Sequence, residues 1–571
     1  MKMKHFKLKI LLFLLILISV FLHFYHLNWG APYYFHPDER NIASAVSQLS
    51  FPSQMNPHFF AYGSLPIYTI YFTGVGINFL NHVPITVVTF SQAIVISRLY
   101  SALFATPLIP LLFVIARNIV TKQSLRKDRH ATELAARDDG NRAGLIAAFL
   151  GTTSIGLIQF AHFGTFELWL TLFTTLLFWL CLCKMTSKTT LLIGIVFGVL
   201  VSTKISSLIL LPILLIVIPA RRFEKASPLV GNAGILRSRI KYGMTAKITL
   251  QICKHISLFL ISAAFVYLIT NPYVFADQAS FFSSMRYESG VVLGTQPVFY
   301  TGEFFGTIPI LFQFLSSYPF LLNPLVTFLF VPAFAYLLFK TIQKRNPYFL
   351  LLTSYFPLLF FSQAFLFAKW TRYLVPTLPF IYVIIGIFLS DVTKRLPRSL
   401  QSLAMTIIVL LCCLFSLSYF ITAFVKSDTR VSAKEFAVTN IPSDAPIISE
   451  VYDLGITPFN DSFPKITLIN PYELDNNNPA TKQAMRTDLA HASYLILPSQ
   501  RVLKVRLLND KQFPNANKLY RELLSGKLSY QKIYETPCDI FCKITYLGNP
   551  TFRFEETVNV FDRPTVFIFK K

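Results

Sequence analysis

Ile10-Leu11-Leu12-Phe13-Leu14-Leu15-Ile16-Leu17-Ile18-Ser19-Val20-Phe21-Leu22-His23-Phe24, followed shortly by His36-Pro37-Asp38-Glu39-Arg40, sets the reading of this chain. The first string lies in an apolar run over 9–26, which as a helix rising about 1.5 Å per residue is roughly 27 Å long, enough to cross a bilayer. The second puts two carboxylates side by side just beyond it. Adjacent carboxylates at a membrane surface are costly unless something cationic or reactive uses them, so the pair reads as a site. An ordinary solvated loop can also carry an Asp-Glu pair. The other charges along the chain decide between the two.

The chain has 571 residues, of which 53% are hydrophobic and 15% aromatic, and its mean hydropathy is +0.52. That excludes a soluble globule and points to a polytopic membrane protein. A net charge of +24 might suggest nucleic acid, but the Lys and Arg residues fall in short clusters between apolar runs, where they report topology. Residues 1–424 hold 33 Lys and Arg against 12 Asp and Glu, whereas 425–571 hold 19 against 16, so the environment changes near 425. The fold class expected is mainly α: a transmembrane helix bundle over 1–424, then a small extracytoplasmic α/β domain over 425–571. The N-terminal run resembles a signal peptide but shows no small-residue cleavage site before Trp29-Gly30-Ala31, and is read as a retained span.

Apolar runs at 9–26, 92–117, 144–160, 166–183, 189–203, 205–220, 249–270, 321–339, 347–367, 373–390 and 400–424 predict about eleven spans. The N-terminus, 118–142, 184–188, 221–247, 340–345 and 391–398 are basic and should face the cytoplasm, probing a plasma-membrane topology with the other connections outside. Alternation then requires 66–82 and 305–320 to lie along the outer interface. An odd span count places the C-terminal domain outside. That domain predicts helices over Ser432 to Ile441 and Ala480 to Ala492, strands over Pro446 to Tyr452, Ser493 to Leu497 and Val566 to Phe569, and a polar turn at Asp475-Asn476-Asn477-Asn478. Five of the seven cysteines lie in or beside spans. Cys538 and Cys542 are the only pair in the soluble part; a local disulfide and free thiols both stay open, with zinc disfavoured for want of further ligands.

Topology collects six basic residues (Arg40, Arg98, Lys204, Arg286, Lys369, Arg372) and six acids (Asp38, Glu39, Glu167, Asp277, Glu288, Glu303) on the outer side. The outer segment 27–91 also holds an aromatic, turn-rich string from Asn56 through His58 and Tyr62 to Pro66, suited to walling a cavity open to lipid. Arg98 falls about 9 Å below the outer end of its run at about 1.5 Å per residue, so it should face inward, as a ligand or in an ion pair with Glu167 or Asp38. The turn from His162 to Glu167 carries an imidazole and a carboxylate that suit a sugar hydroxyl or a basic partner. No cofactor is required by these residues; a divalent metal held by Glu167, His162 and Asp38 is left open, because the spacing has no metal-motif specificity. Lys204, Lys369 and Arg372 stand where a lipid phosphate would lie, either holding it or snorkelling to headgroups.

Taken together, Asp38-Glu39, Tyr62-Gly63-Ser64-Leu65-Pro66, Arg98 with Ser101-Ala102, the His162 to Glu167 turn, Lys204, and Arg372-Tyr373 with Pro376 and Pro379 resemble the GT-C superfamily of membrane glycosyltransferases. The likeness is to the protein O-mannosyltransferases and the lipid A aminoarabinose transferases, and covers residues 1 to about 400. The resemblance implies inverting transfer of one hexosyl or pentosyl unit from a polyprenyl-phosphate carrier to a protein, lipid or glycan acceptor, with Asp38 as base and Glu39 beside it as a catalytic pair. It implies substrate-binding roles for His58, Tyr62, Arg98, His162, Glu167, Lys204, Lys369 and Arg372. Glu167 departs from the Asp of many relatives, and the Trp-Trp-Asp motif of oligosaccharyltransferases is absent, which disfavours transfer of a preassembled oligosaccharide. The competing reading is a transporter or flippase for a lipid-linked sugar. It would usually bring internal repeats and charges at mid-membrane, and neither is evident.

Overall fold

A computed structural model describes all residues except Met1, Ile85, 128–132, 223–242, Pro297, Arg345, Tyr452 and Asn477. Parts of the basic connections 118–142 and 221–247, and one residue each of the expected strand at 446–452 and the turn at 475–478, therefore lie outside the described residues.

All eleven apolar runs are helical. In lipid the backbone has no water to bond, so a long apolar segment satisfies its own N–H and C=O groups by coiling. Among the described residues, six helices are long and apolar enough to cross: Phe6–Phe24, Phe90–Lys122, Thr249–Thr270, Pro324–Gln343, Thr371–Thr393 and Arg398–Val425. Ala135–Thr152 and Ile155–His162 make a seventh if this pair, bent by 49°, is one span. Length and composition thus account for six or seven of the eleven expected crossings. The rest fold as the shorter helices Glu167–Leu182, Ser187–Thr203 and Ile205–Ala220 and as Pro347–Ala364, which has Pro357 inside it.

Thr371–Thr393 is 83% buried along its apolar window and Phe6–Phe24 only 22%, so the former stands at the centre of the bundle and the latter at its edge. Buried hydroxyls tie the centre together: Tyr382 donates to Ser154 at 2.5 Å, and Tyr318 pairs with Thr377 at 2.9 Å. Residues 66–82, expected along the interface, form the helix Ser64–Leu80, which packs against Pro37–Ser47, Phe90–Ala105 and Ser187–Thr203. Residues 305–320 are broken into short turns, including a π-helical turn at Gln313–Ser317.

The C-terminal residues form a five-stranded sheet: β1 (Ile447–Glu450), β2 (Ile466–Ile469), β3 (Tyr494–Leu497), β4 (Gln531–Glu535) and β5 (Phe567–Lys570), in the order β2-β1-β3-β5-β4. β1 pairs in parallel with β2 and β3, Ile447 lying opposite Ile466 and Tyr494; β5 is antiparallel to β3 and β4. Every residue of β1 and β3 is buried, as central strands covered on both faces must be. Cys538 and Cys542 are joined in a disulfide.

This sheet is docked on the bundle through a turn in which all of Thr557–Asp562 is buried. Asp562 accepts from the hydroxyls of Tyr419, near the end of the last long helix, and Tyr546, at 3.1 and 3.2 Å. Gln159 donates to the Thr557 carbonyl at 3.3 Å. Arg430 donates to the carbonyls of Val560 and Phe561 and lies 3.7 Å over the ring of Phe35, next to His36.

Candidate functional site

Pro37 opens the helix Pro37–Ser47, which puts Asp38 and Glu39 in its first turn. Proline is preorganised for that position and carboxylates are favoured by the positive end of the helix. The two acids then part. Glu39 turns inward and is 1% exposed; Asp38 stays partly exposed and pairs with Arg372.

Glu39 receives Arg98 in a bidentate fork, Nε to Oε1 at 2.9 Å and Nη2 to Oε2 at 2.6 Å. The Gly164 N–H also donates to Oε1, at 2.5 Å. Arg98 completes its bonds on the carbonyls of Leu27 and Trp29, at 2.9 and 2.7 Å, and lies 4.5 Å over the Trp29 ring. Both side chains have no exposure. Glu39 and Arg98, both expected to act on the substrate, are thus turned on each other: four Arg98 hydrogen bonds go to Glu39 and the two carbonyls, and neither side chain is exposed. The pair staples the Asp38 helix to the span carrying Arg98 and to the 163–167 turn. Gly164 is required at that staple, because a Cβ there would stand 2.9 Å from the Ser97 hydroxyl, which itself donates to the Gly164 carbonyl at 2.5 Å.

His162 is enclosed as well. Its Nδ1 lies 2.8 Å from the Ile158 carbonyl and its Nε2 2.7 Å from the Tyr25 carbonyl, while its ring stacks on Phe424 at 3.6 Å. With both nitrogens against carbonyl oxygens and the residue wholly buried, it lies between its own helix and the end of the N-terminal span. His58 points elsewhere: its side chain is 57% exposed and its Nδ1 lies 3.7 Å from Asp277. Asp277 also accepts from Ser280 and, at 2.9 Å, from Asn56, and these hydrogen bonds hold its carboxyl below the usual range. Lys369 donates to the Phe367 carbonyl at 3.1 Å, and burial pulls its ammonium below its ordinary value. It does not line the cavity that Arg372 lines.

What does converge is one cavity of about 60 Å³ lined by Glu167, Lys204, Arg372 and Tyr373, with Thr174 and Gln363 among the other polar walls and Ile209, Leu210 and Leu359 on the apolar side. Lys204 has no carboxylate partner among the described residues; its Nζ lies 4.6 Å from the Tyr373 ring and 5.5 Å from that of Tyr62. Glycine brings Tyr62 there. The N–H of Gly63 donates to Thr203 at 3.0 Å, and a Cβ at 63 would fall 1.9 Å from the Ser202 carbonyl. Ser64, which opens the following helix, gives its N–H to Asn271 Oδ1 at 2.8 Å. Glu167 Oε2 and Arg372 Nε are buried without a hydrogen-bond partner. Buried polar atoms are normally satisfied, so two such atoms beside an unpaired ammonium mark a place prepared for a polar ligand.

Sequence reasoning placed Tyr373 beside Arg372 in the motif but gave it no role of its own. It also missed the acidic and basic groups of the C-terminal domain near Arg372: Arg501 and Glu556, 3.5 Å apart, and Glu555. Burial, with Glu303 and Glu555 nearby, pushes Glu556 up to about 7 despite Arg501. Glu288, half-buried on Gln278–Leu293, is raised by burial against the pull of Lys204. Among the described residues no group of three or more His, Cys, Asp or Glu side chains stands close enough to hold a metal ion, so Glu167, His162 and Asp38 do not form the ligand set considered above.

No family model matches the sequence, and no curated protein matches it. Among solved structures, the chain is similar to the apo oligosaccharyltransferase of Archaeoglobus fulgidus, with 12% identity and a TM-score of 0.49 over 99% of this chain and 88% of that one. The complex of the same organism's oligosaccharyltransferase AglB with an inhibitory peptide and a dolichol-phosphate gives 13% and 0.49, over 100% and 89%. ArnT from Cupriavidus metallidurans bound to undecaprenyl phosphate gives 11% and 0.45, over 92% and 96%. With TM-scores under 0.5, these likenesses carry no functional weight. Structurally, then, this chain is similar along nearly its whole length to an archaeal oligosaccharyltransferase and to ArnT.

Proposed function

We propose that this chain is a membrane glycosyltransferase that moves one sugar, with inversion, from a polyprenyl-phosphate carrier to an acceptor on the extracytoplasmic face. The observation that carries this reading is that Arg372, paired with Asp38, lines one cavity together with Lys204 and Glu167, with an apolar wall beside them. Displacement at an anomeric carbon needs a base for the incoming hydroxyl and a means of offsetting charge on the leaving group. In the proposed step Asp38 takes the acceptor's proton, the acceptor oxygen bonds the anomeric carbon from the far side, and the bond to the phosphate oxygen breaks. The electron pair leaves with the phosphate, whose negative charge Arg372 and Lys204 offset.

A phosphate leaves without a proton donor, so one carboxylate suffices as base, unlike the two that glycosidases use to expel an alcohol. The burial of Glu39 is consistent with this count. At about 60 Å³ the cavity holds a phosphate head rather than a whole glycolipid, so the isoprenoid would lie along Ile209, Leu210 and Leu359 and the sugar across the mouth near Asp38. Relatives in the GT-C superfamily, to which the sequence bears its resemblance, work by this inverting chemistry; the eleven-span count, the external C-terminal domain over 425–571 and a plasma-membrane location belong to the same reading. Incubating purified protein with radiolabelled polyprenyl-phosphate sugars and following loss of label from lipid tests it; no transfer from any carrier would overturn it.

A further inference from the structure

Thr371 opens a 3-10 turn, Thr371–Thr377, whose second residue is Arg372. The first N–H groups of such a turn have no partner within it. Here Trp370 precedes the turn and supplies no side-chain cap, and the Thr371 N–H is taken instead by Oε1 of Glu555 at 3.2 Å, from 184 residues further along the chain. Glu555 is 2% exposed. The backbone on both sides of it is clamped: Glu303 Oε1 accepts from the Glu556 N–H at 3.3 Å, Glu303 Oε2 accepts from Lys504 at 2.8 Å, and Lys504 also donates to the Phe554 carbonyl. Asn559 donates to that same carbonyl at 2.5 Å. The backbone flanking Glu555 is therefore held by three side chains, Glu303, Lys504 and Asn559, and its Oε1 is aimed at one backbone donor.

We propose that Glu555 is a positioning residue for Arg372: it caps the turn that aims this guanidinium at Asp38, so the C-terminal domain completes the phosphate-binding geometry rather than merely covering it. The inference rests on the sugar-transfer reading above. It makes two chemically opposite substitutions equivalent. Glu555→Ala removes the acceptor. Thr371→Pro removes the donor with a residue suited to a first helical position, and the preceding Trp370, at φ −59° and ψ 137°, already has the backbone that a following proline demands.

Each variant should raise the KM for a polyprenyl-phosphate sugar about tenfold, the order expected for one hydrogen bond of about 1–1.5 kcal/mol, with little change in acceptor KM. Combining them should add nothing further. Glu555→Gln, which keeps a carbonyl acceptor, should restore the donor KM to within about threefold of the parent, and Thr371→Val, which keeps the N–H, should match the parent. A donor KM unchanged in both Glu555→Ala and Thr371→Pro would overturn the proposal; so would equal impairment by Gln and Ala. If Glu555→Ala does not fold, Thr371→Pro alone decides. If the parent protein itself transfers no sugar, the functional reading fails first, and that result is distinct from a parent that transfers sugar alongside indifferent variants.

Discussion

Arg98 and Glu39 exchange two hydrogen bonds at 2.9 and 2.6 Å with no exposed side-chain surface. Arg98→Met fills the space of the lost stem but leaves the Glu39 carboxylate with only the Gly164 N–H, and strips the Leu27 and Trp29 carbonyls of their donor. Breaking one side of a buried pair costs about 3–5 kcal/mol, mostly because the remaining charge stays buried. Two orphaned carbonyls at about 1–3 kcal/mol each would push the cost to the upper end of that range, since such terms overlap rather than add. Glu39→Gln should cost less, because an amide keeps part of the fork while leaving Arg98 charged. The double variant Glu39→Gln/Arg98→Met carries no buried charge, and should recover about 2 kcal/mol or more relative to the sum of the singles. The assay is the thermal midpoint in detergent, where, at an unfolding entropy of about 2.1 cal/mol/K per residue, a loss of about 4 kcal/mol corresponds to a fall of roughly 3 °C. Singles that melt with the parent, or a double that is strictly additive, would show that the pair does not staple the Asp38 helix. Restored transfer in the double variant, to a level above either single, would further separate Glu39 from the chemistry.

Two other outcomes follow from the site and its docked domain. Lys204→Met should leave the thermal midpoint within about 1–2 °C of the parent, as Lys204 has no ion pair to lose, yet weaken retention of a polyprenyl phosphate at least tenfold at low salt; native mass spectrometry of the lipid complex would read this, and unchanged retention would remove Lys204 from the phosphate site. Glu450, buried beneath Tyr520, is pushed up to about 8 by its burial. The folded form therefore binds this proton more tightly than the unfolded form, so stability is greatest below about pH 4.5, declines up to about pH 8 and is flat above. Glu556 and Asp562, both pushed up to about 7 by burial, act in the same direction. Glu450→Gln should match the parent near pH 4.5 and exceed it by several kcal/mol at pH 8, on the order of 1.4 per decade of proton affinity; equal stability at pH 8 would contradict the assignment.

The helices were legible because a long apolar run in lipid has one solution to its backbone bonding, and all eleven runs found it. Basic clustering also picked out Lys204 and Arg372, which do meet at one cavity. Partnership was less legible. Arg98 was expected on Glu167 or Asp38 and binds Glu39, because three carboxylates on the same side are equivalent until the helix over Pro37–Ser47 fixes which of two neighbours points inward. Arg372 meets Asp38 across 334 positions, and Glu555 meets Thr371 across 184; neither separation leaves a periodic trace. The surroundings of His162 were equally hidden: a histidine closing an apolar helix gives no sign in sequence that both nitrogens meet carbonyls, one of them on Tyr25, 137 positions away. In the soluble part β3 and most of β5 read as apolar runs and Ile447-Ile448 opens β1, while the edge strand β4 reads Gln-Lys-Ile-Tyr-Glu and had no hydrophobic signature; β2, Ile-Thr-Leu-Ile, is apolar in sequence but exposes two of its four positions at the other edge and was not read as a strand.

The most direct measurement is sugar transfer by purified Asp38→Asn from a radiolabelled polyprenyl-phosphate donor that the parent protein uses, with lipid retention followed alongside. The side chain keeps its size and an acceptor for Arg372 but loses the ability to take a proton. Transfer should fall by at least about a hundredfold, within the range of general-base catalysis, while the protein stays folded and still holds the carrier phosphate. Undiminished transfer by Asp38→Asn would contradict the account.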